Sequence, residues 1–119
     1  ALLEAYAGNG AEAVRLARLM PPSHYRDYAL AMAAWTAGQV AESAAALQRL
    51  TDEAPDVFGA QIAMIHAWRG DRENAFRWLE RALAVRDPGL LDIQTRPEFD
   101  AFKGDPRYQR ALRQMNLAR

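Results

Sequence analysis

A glycine recurs at intervals of 30 and 32 residues, at Gly8, Gly38 and Gly70, and each opens a segment of the same make: GNGAEAVRLARLM, GQVAESAAALQRL and GDRENAFRWLERAL. Five residues after each glycine stands a small side chain, Ala13, Ser43 or Ala75, and an amphipathic stretch follows. Each stretch runs out before proline, at Pro21-Pro22, Pro55 and Pro88. A repeated unit of this length cannot bury its apolar face alone and must stack on its neighbours, so the period constrains the fold more than composition does. Glycine reaches the left-handed geometry that ends one helix and turns the chain. The small residue lets two antiparallel helices approach closely. Proline disfavours helical geometry in the residue before it and suits the first turn of the next helix. Two further helical stretches, SHYRDYALAMAAWTA and DVFGAQIAMIHAWR, precede Gly38 and Gly70, so the spacing predicts helix pairs.

Composition agrees. The 119 residues are rich in Ala, Leu, Arg, Glu and Gln, which favour helices, and no stretch alternates with period two. Fifteen basic residues balance fifteen acidic ones, whereas nucleic-acid binders generally carry a basic excess. The basic lean of the end of the chain (Lys103, Arg107, Arg110, Arg113 and Arg119 against Asp105) is read as a solvated helix face with cations near its C-terminus. No nucleic acid is expected to bind directly. No apolar run approaches the roughly 20 residues that span a bilayer, so no membrane insertion is expected. The absence of cysteine excludes disulfides and leaves the compartment open; a cytoplasmic location is the expectation, a periplasmic or envelope one the alternative. The chain opens on ALLEAYAG, already in helical pattern, and is read as a fragment of a longer protein.

The marks align within the last repeat. Gly70 stands in the turn, Ala75 at the small contact, Leu79 at the large apolar site and Ala82 at the second small site, with Leu83 on the same face and Phe76 beside it, facing the next element. Residues 24–55 carry Ser43, Leu47, Leu50 and Pro55 in corresponding places. This pattern resembles the tetratricopeptide repeat, a helix–turn–helix unit of about 34 residues that stacks into a superhelix. Asp27 and Gly59 stand where the family has a bulky aromatic, Ala31 and Ala63 where it has glycine, and Ala34 and His66 where it has tyrosine. The resemblance implies an all-α, right-handed α-solenoid of antiparallel helix pairs forming a single domain over 1–119. Residues 1–22 form a partial repeat, 23–55 and 56–88 repeats, and 89–119 a short helix plus a capping helix.

The tail carries three helix-start signals, Asp87-Pro88, Arg96-Pro97 and Asp105-Pro106; in the first and last an Asp caps and proline takes the first helical position. Phe99 and Phe102 are predicted on a short hinge helix. Tyr108, Ala111, Leu112 and Met115 form one stripe of a final helix that caps the stack. PEFDAFKGDPRYQRALRQMNL is similar to the tail that closes tetratricopeptide segments in bacterial multidomain proteins, among them winged-helix activators, adenylate cyclases and signalling kinases. That similarity implies the accessory domain of a bacterial regulator.

Nothing in the sequence reads as catalytic, and no cofactor is implied. His24 and His66 are isolated, with no Cys and no His at i+3 or i+4, so a metal site is not expected and both are read as structural. The tripeptide Arg69-Gly70-Asp71 is read as helix punctuation, with Asp71 starting the second helix, and not as an adhesion signal. In the tetratricopeptide family the first helix of each unit lines a concave face that binds peptides. Carried onto this chain, the concave groove comprises Tyr25, Tyr28, Met32 and Trp35, then Ala60, Met64 and Trp68, with Leu3 and Tyr6 from the partial unit. Tyr25, Tyr28, Met32 and Trp35 also share one helical face by spacing alone. The expectation is a protein–protein or interdomain recognition module that binds a peptide or helix of another protein, or of another domain of the same polypeptide. The alternatives are a ligand-sensing regulatory domain, or a structural spacer or homodimerisation unit.

Overall fold

The structure, a computed structural model, describes residues 2–91 and 93–115. Arg119 of the basic tail, and the end of the expected capping segment, lie outside them. Among the described residues the fold is all-helical, without a strand. The chain divides into two compact units, Ala1–Pro55 and Asp56–Arg119.

The first unit holds α1 (Leu2–Tyr6), α2 (Gly10–Leu19), α3 (His24–Thr36) and α4 (Val40–Glu53). The second holds α5 (Gly59–Trp68), α6 (Arg72–Ala84), short 3-10 turns at Pro88–Leu90, Ile93–Thr95 and Pro97–Phe102, and α7 (Pro106–Gln114).

Gly8, Gly38 and Gly70 all have positive φ, at 81°, 78° and 75°. At each corner the following residue donates its N–H to the carbonyl five residues earlier: Asn9 to Glu4 at 2.7 Å, Gln39 to Ala34 at 2.8 Å and Asp71 to His66 at 2.9 Å. These are Schellman corners, in which a left-handed residue turns the chain while satisfying carbonyls the helix end would otherwise orphan. At the third corner Asp71 then caps α6 by accepting from the Asn74 backbone N–H at 3.3 Å and the Asn74 side chain at 2.8 Å. The aspartate of the Arg69-Gly70-Asp71 tripeptide is thus engaged in the turn.

Ala13, Ser43 and Ala75 are all fully buried, as are Leu79 and Ala82 to within 1 %. Ser43 also donates its hydroxyl to the carbonyl of Ala31 at 2.7 Å, tying α4 to α3. Gly10 marks a close helix contact. A Cβ there would lie 2.5 Å from both the Cα and the N of Ala37, so the start of α2 rests on the backbone that ends α3.

Both α3 and α5 are apolar nearly all round. In α3 the run from Tyr28 to Ala34 is buried without interruption, and in α5 Ile62 to Ile65 are wholly buried. Successive residues point 100° apart on a helix, so seven consecutive buried residues cover every direction. Accordingly α3 packs on α1, α2 and α4, while α5 packs on α6 and on the turns at Pro88–Leu90 and Pro97–Phe102.

The tail builds the far side of the second unit. Pro88, Pro97 and Pro106 each sit in the first turn of a helical element. Asp105 caps α7 by accepting from Arg107 N–H at 2.8 Å. Phe99 is fully buried and lies 6.0 Å, centroid to centroid, from Tyr108, and Phe76 meets Phe102 at the same separation. Apolar side chains of α6, the Pro97–Phe102 turn and α7 thereby close one core.

Candidate functional site

The expected groove residues part company in the structure. Tyr28, Met32 and Met64 belong to the core, at 5 %, 0 % and 0 % exposure, so they offer a partner no surface. Their burial has a physical cause: α3 and α5 carry apolar side chains in all directions, and a helix of that kind is covered on more than one face. Ala60 is buried as well, and its amide is taken by Asp87. Tyr6, Trp35 and Trp68 are half-buried, whereas Leu3 and Tyr25 are open to solvent.

His24 opens α3 behind its Ser23 cap and lies 3.2 Å from Glu53. His66, at the end of α5, is mostly buried, with Nδ1 3.6 Å from the Asp71 carboxylate, beyond hydrogen-bond reach. Burial pushes its pKa down. The Asp71 charge opposes that shift, and Arg69 and Arg77 add to it. Among the described residues no group of three His, Asp or Glu side chains is placed to hold a metal ion. No helix among them is long and apolar enough to cross a membrane.

A concavity lies within the second unit, between α6, the Arg86–Leu91 corner and α7. It is a cleft of about 970 Å³. Its apolar floor is core, with Phe76, Leu79, Leu90 and Ala111 buried, and half-buried Leu83 and Met115 supply its accessible apolar surface. Leu91, 78 % exposed, stands at its edge. Arginines 86, 107 and 110 and two acids, Glu80 and Asp87, supply its charge.

These charges are not equivalent. Asp87 is buried and committed, accepting from Ala60 N–H at 3.1 Å and from Gly89 N–H at 2.8 Å. Arg107 is held by Asp105 at 3.2 Å and Glu73 at 3.3 Å, with its guanidinium 4.3 Å above the Phe76 ring. Arg86 and Arg110 are exposed and make no ion pair among the described residues. Against these two arginines stand the exposed Glu80 and the buried Asp87 of the same lining, so its charges other than Arg107 balance.

Sequence reasoning assigned α7 to capping and its arginines to a solvated face, and it did not single out Arg86. No sequence signal marked it, because α2 and α4 also end without a glycine. No protein-family model, no curated protein and no solved structure matches the chain.

Proposed function

We propose that the chain is a non-catalytic recognition module, built from helix pairs of tetratricopeptide type arranged as a right-handed α-solenoid, and that it binds a segment of another protein or of another domain of its own polypeptide. The repeat spacing, the three equivalent glycine corners and the buried small residues support the family reading. The observation that carries the functional reading is the cleft of the second unit. A volume of about 970 Å³ with an apolar lining is of the size that takes side chains of a bound segment. Large side chains clustered at a concave surface supply most of the binding energy in such contacts.

The binding seat is accordingly the α6–α7 cleft, with exposed Tyr25 and half-buried Trp35 and Trp68 outside it. The test is a peptide-display selection against the chain, repeated with Leu83→Glu, which places a charge on the half-buried lining of the cleft. Peptides retained by the unaltered chain and lost by the variant are the expected result. Retention of every selected peptide by the variant overturns the assignment of the cleft.

A further inference from the structure

We infer that α7 is a lid on the second unit, which leaves α6 as one piece about the Lys103-Gly104 pivot and uncovers Phe76 and Phe99, the rings that lie under Arg107 and Tyr108 when it is closed. The motion belongs to the chain alone and does not depend on what the cleft binds.

Little apolar burial holds α7 down. It is nine residues long and buries Tyr108, Ala111 and Leu112, whereas the ten residues of α5 include seven that are buried. A helix as short as α7 does not persist by itself in water, so its own hydrogen bonds last only while it is docked. The largest of its three buried side chains also works against docking. The hydroxyl of Tyr108 is buried and finds no hydrogen-bond partner among the described residues, so closure strips it of water without a replacement. Opening returns that hydration.

The rest of the hold is a latch between the first turns of α6 and α7. Arg107 bonds to Asp105 at 3.2 Å, but that pair lies within the start of α7 and moves with it. The ties that cross to α6 are Arg107 to Glu73 at 3.3 Å, Arg107 to the Phe76 ring at 4.3 Å and Asp105 to Arg72 at 3.9 Å. Glu73 is 78 % exposed and Arg72 55 %, so salt screens both ion pairs. The Pro97–Phe102 turn stays behind, because it packs on α5 with Phe99 and Phe102 buried. Between turn and lid, Lys103 and Gly104 are exposed, and a Cβ on Gly104 would meet nothing within 4 Å, so no packing fixes the pivot. Closure is therefore a balance of three buried side chains and a screened latch against one stranded hydroxyl.

Amide hydrogen exchange of the whole chain, read residue by residue by NMR and corrected for intrinsic rates, tests the lid. The amides of Arg110 to Gln114 are expected to share one rate, at least about a hundredfold faster than Met64 and Ile65 of α5. Raising salt from about 0.05 M to about 0.5 M is expected to speed exchange in α7 about threefold and to leave α5 unchanged. Glu73→Gln, at an exposed site, is expected to speed α7 by a similar factor and to remove most of its salt response. Tyr108→Phe keeps the ring and deletes the stranded hydroxyl, so it is expected to slow exchange in α7 about tenfold. Protection of α7 equal to that of α5 overturns the inference, since the helix then leaves only when the unit unfolds. Rates that climb steadily towards Met115 overturn it as well, being the mark of a fraying end. So does faster exchange in Tyr108→Phe, which would make the hydroxyl a tie that holds the helix closed.

Discussion

The backbone N–H of Ala60, near the start of α5, donates to the carboxylate of Asp87 at 3.1 Å, although 27 positions separate the two residues in the chain. Phe58 at the N-cap position of α5 offers no side-chain acceptor, so the helix receives its anionic cap from the corner that follows α6. The second oxygen of the same carboxylate holds Gly89 at 2.8 Å and starts the Pro88–Leu90 turn. One buried side chain therefore joins both ends of a helix pair to the tail. Asp87→Ala is expected to cost about 2 kcal/mol, because it leaves two amides without their acceptor. Asp87→Asn, which keeps one acceptor oxygen, is expected to cost less. Urea unfolding of both variants checks the order, and an alanine variant as stable as the unaltered chain would remove Asp87 from this role.

Arg86→Gly is expected to stabilise the chain. Relief of the left-handed strain at φ 54° is expected to raise stability by about 1 kcal/mol, while the cleft loses a cation. Arg86→Ala removes the same cation and keeps the strain, so its thermal midpoint should stay near that of the unaltered chain. Equal midpoints for the glycine and alanine variants would show that the corner holds no strain.

Gly10 and Gly104 make a matched pair. Alanine at position 10 would drive a methyl group into the Ala37 backbone, which has no rotamer with which to yield, and about 3 kcal/mol of destabilisation is expected. At Gly104 a methyl group meets nothing within 4 Å, and a change within about 0.5 kcal/mol is expected. Chemical denaturation of the two variants side by side reads the difference directly.

The methionines once expected on a groove serve as a test of burial. Met32→Ala and Met64→Ala each remove a fully buried side chain and are expected to cost about 2–5 kcal/mol through lost transfer energy and the cavity left behind. Tyr25→Ala, at an exposed site, is expected to change stability by no more than about 0.5 kcal/mol. Near-neutral methionine variants would place α3 and α5 at a surface after all.

His66 sets a pH dependence. Its folded pKa lies below the ordinary 6.5, chiefly because burial disfavours the imidazolium, so between the two values the unfolded chain binds more protons. Stability contributed by the neutral ring is complete above about pH 6.5 and declines as the pH falls from there towards the folded value. Asp71, held low by its bonds from Asn74, contributes separately, and its share is lost only on falling through its own folded value, below 3.8. Urea midpoints compared at about pH 7.5 and about pH 5 should therefore fall for the unaltered chain and fall less for His66→Gln. A variant with the same pH slope as the parent would assign the slope elsewhere.

The corners and caps were legible in the linear chain because their causes are local. Gly8, Gly38 and Gly70 occupy backbone conformations that other residues adopt at a cost, and Asp71 and Asp105 bond to amides two or three positions away. Small residues at Ala13, Ser43 and Ala75 marked close helix contacts, since only small side chains fit there. Which faces of a helix are covered was not legible by the same means. Helical spacing places Tyr25, Tyr28, Met32 and Trp35 on one side of α3, yet spacing does not say how many sides are covered, and α1, α2 and α4 all pack on this helix. Likewise Arg86 reads as an ordinary helix-end cation until its φ and its unpaired guanidinium are seen together, and Asp87 as a local cap until Ala60 is found against it. Local backbone energetics are written residue by residue, so the sequence by itself determined where helices begin, turn and approach. Which surface remains open depends on contacts between residues far apart in the chain, and only the tertiary structure decided that Tyr28, Met32 and Met64 go inside while Tyr25 stays exposed.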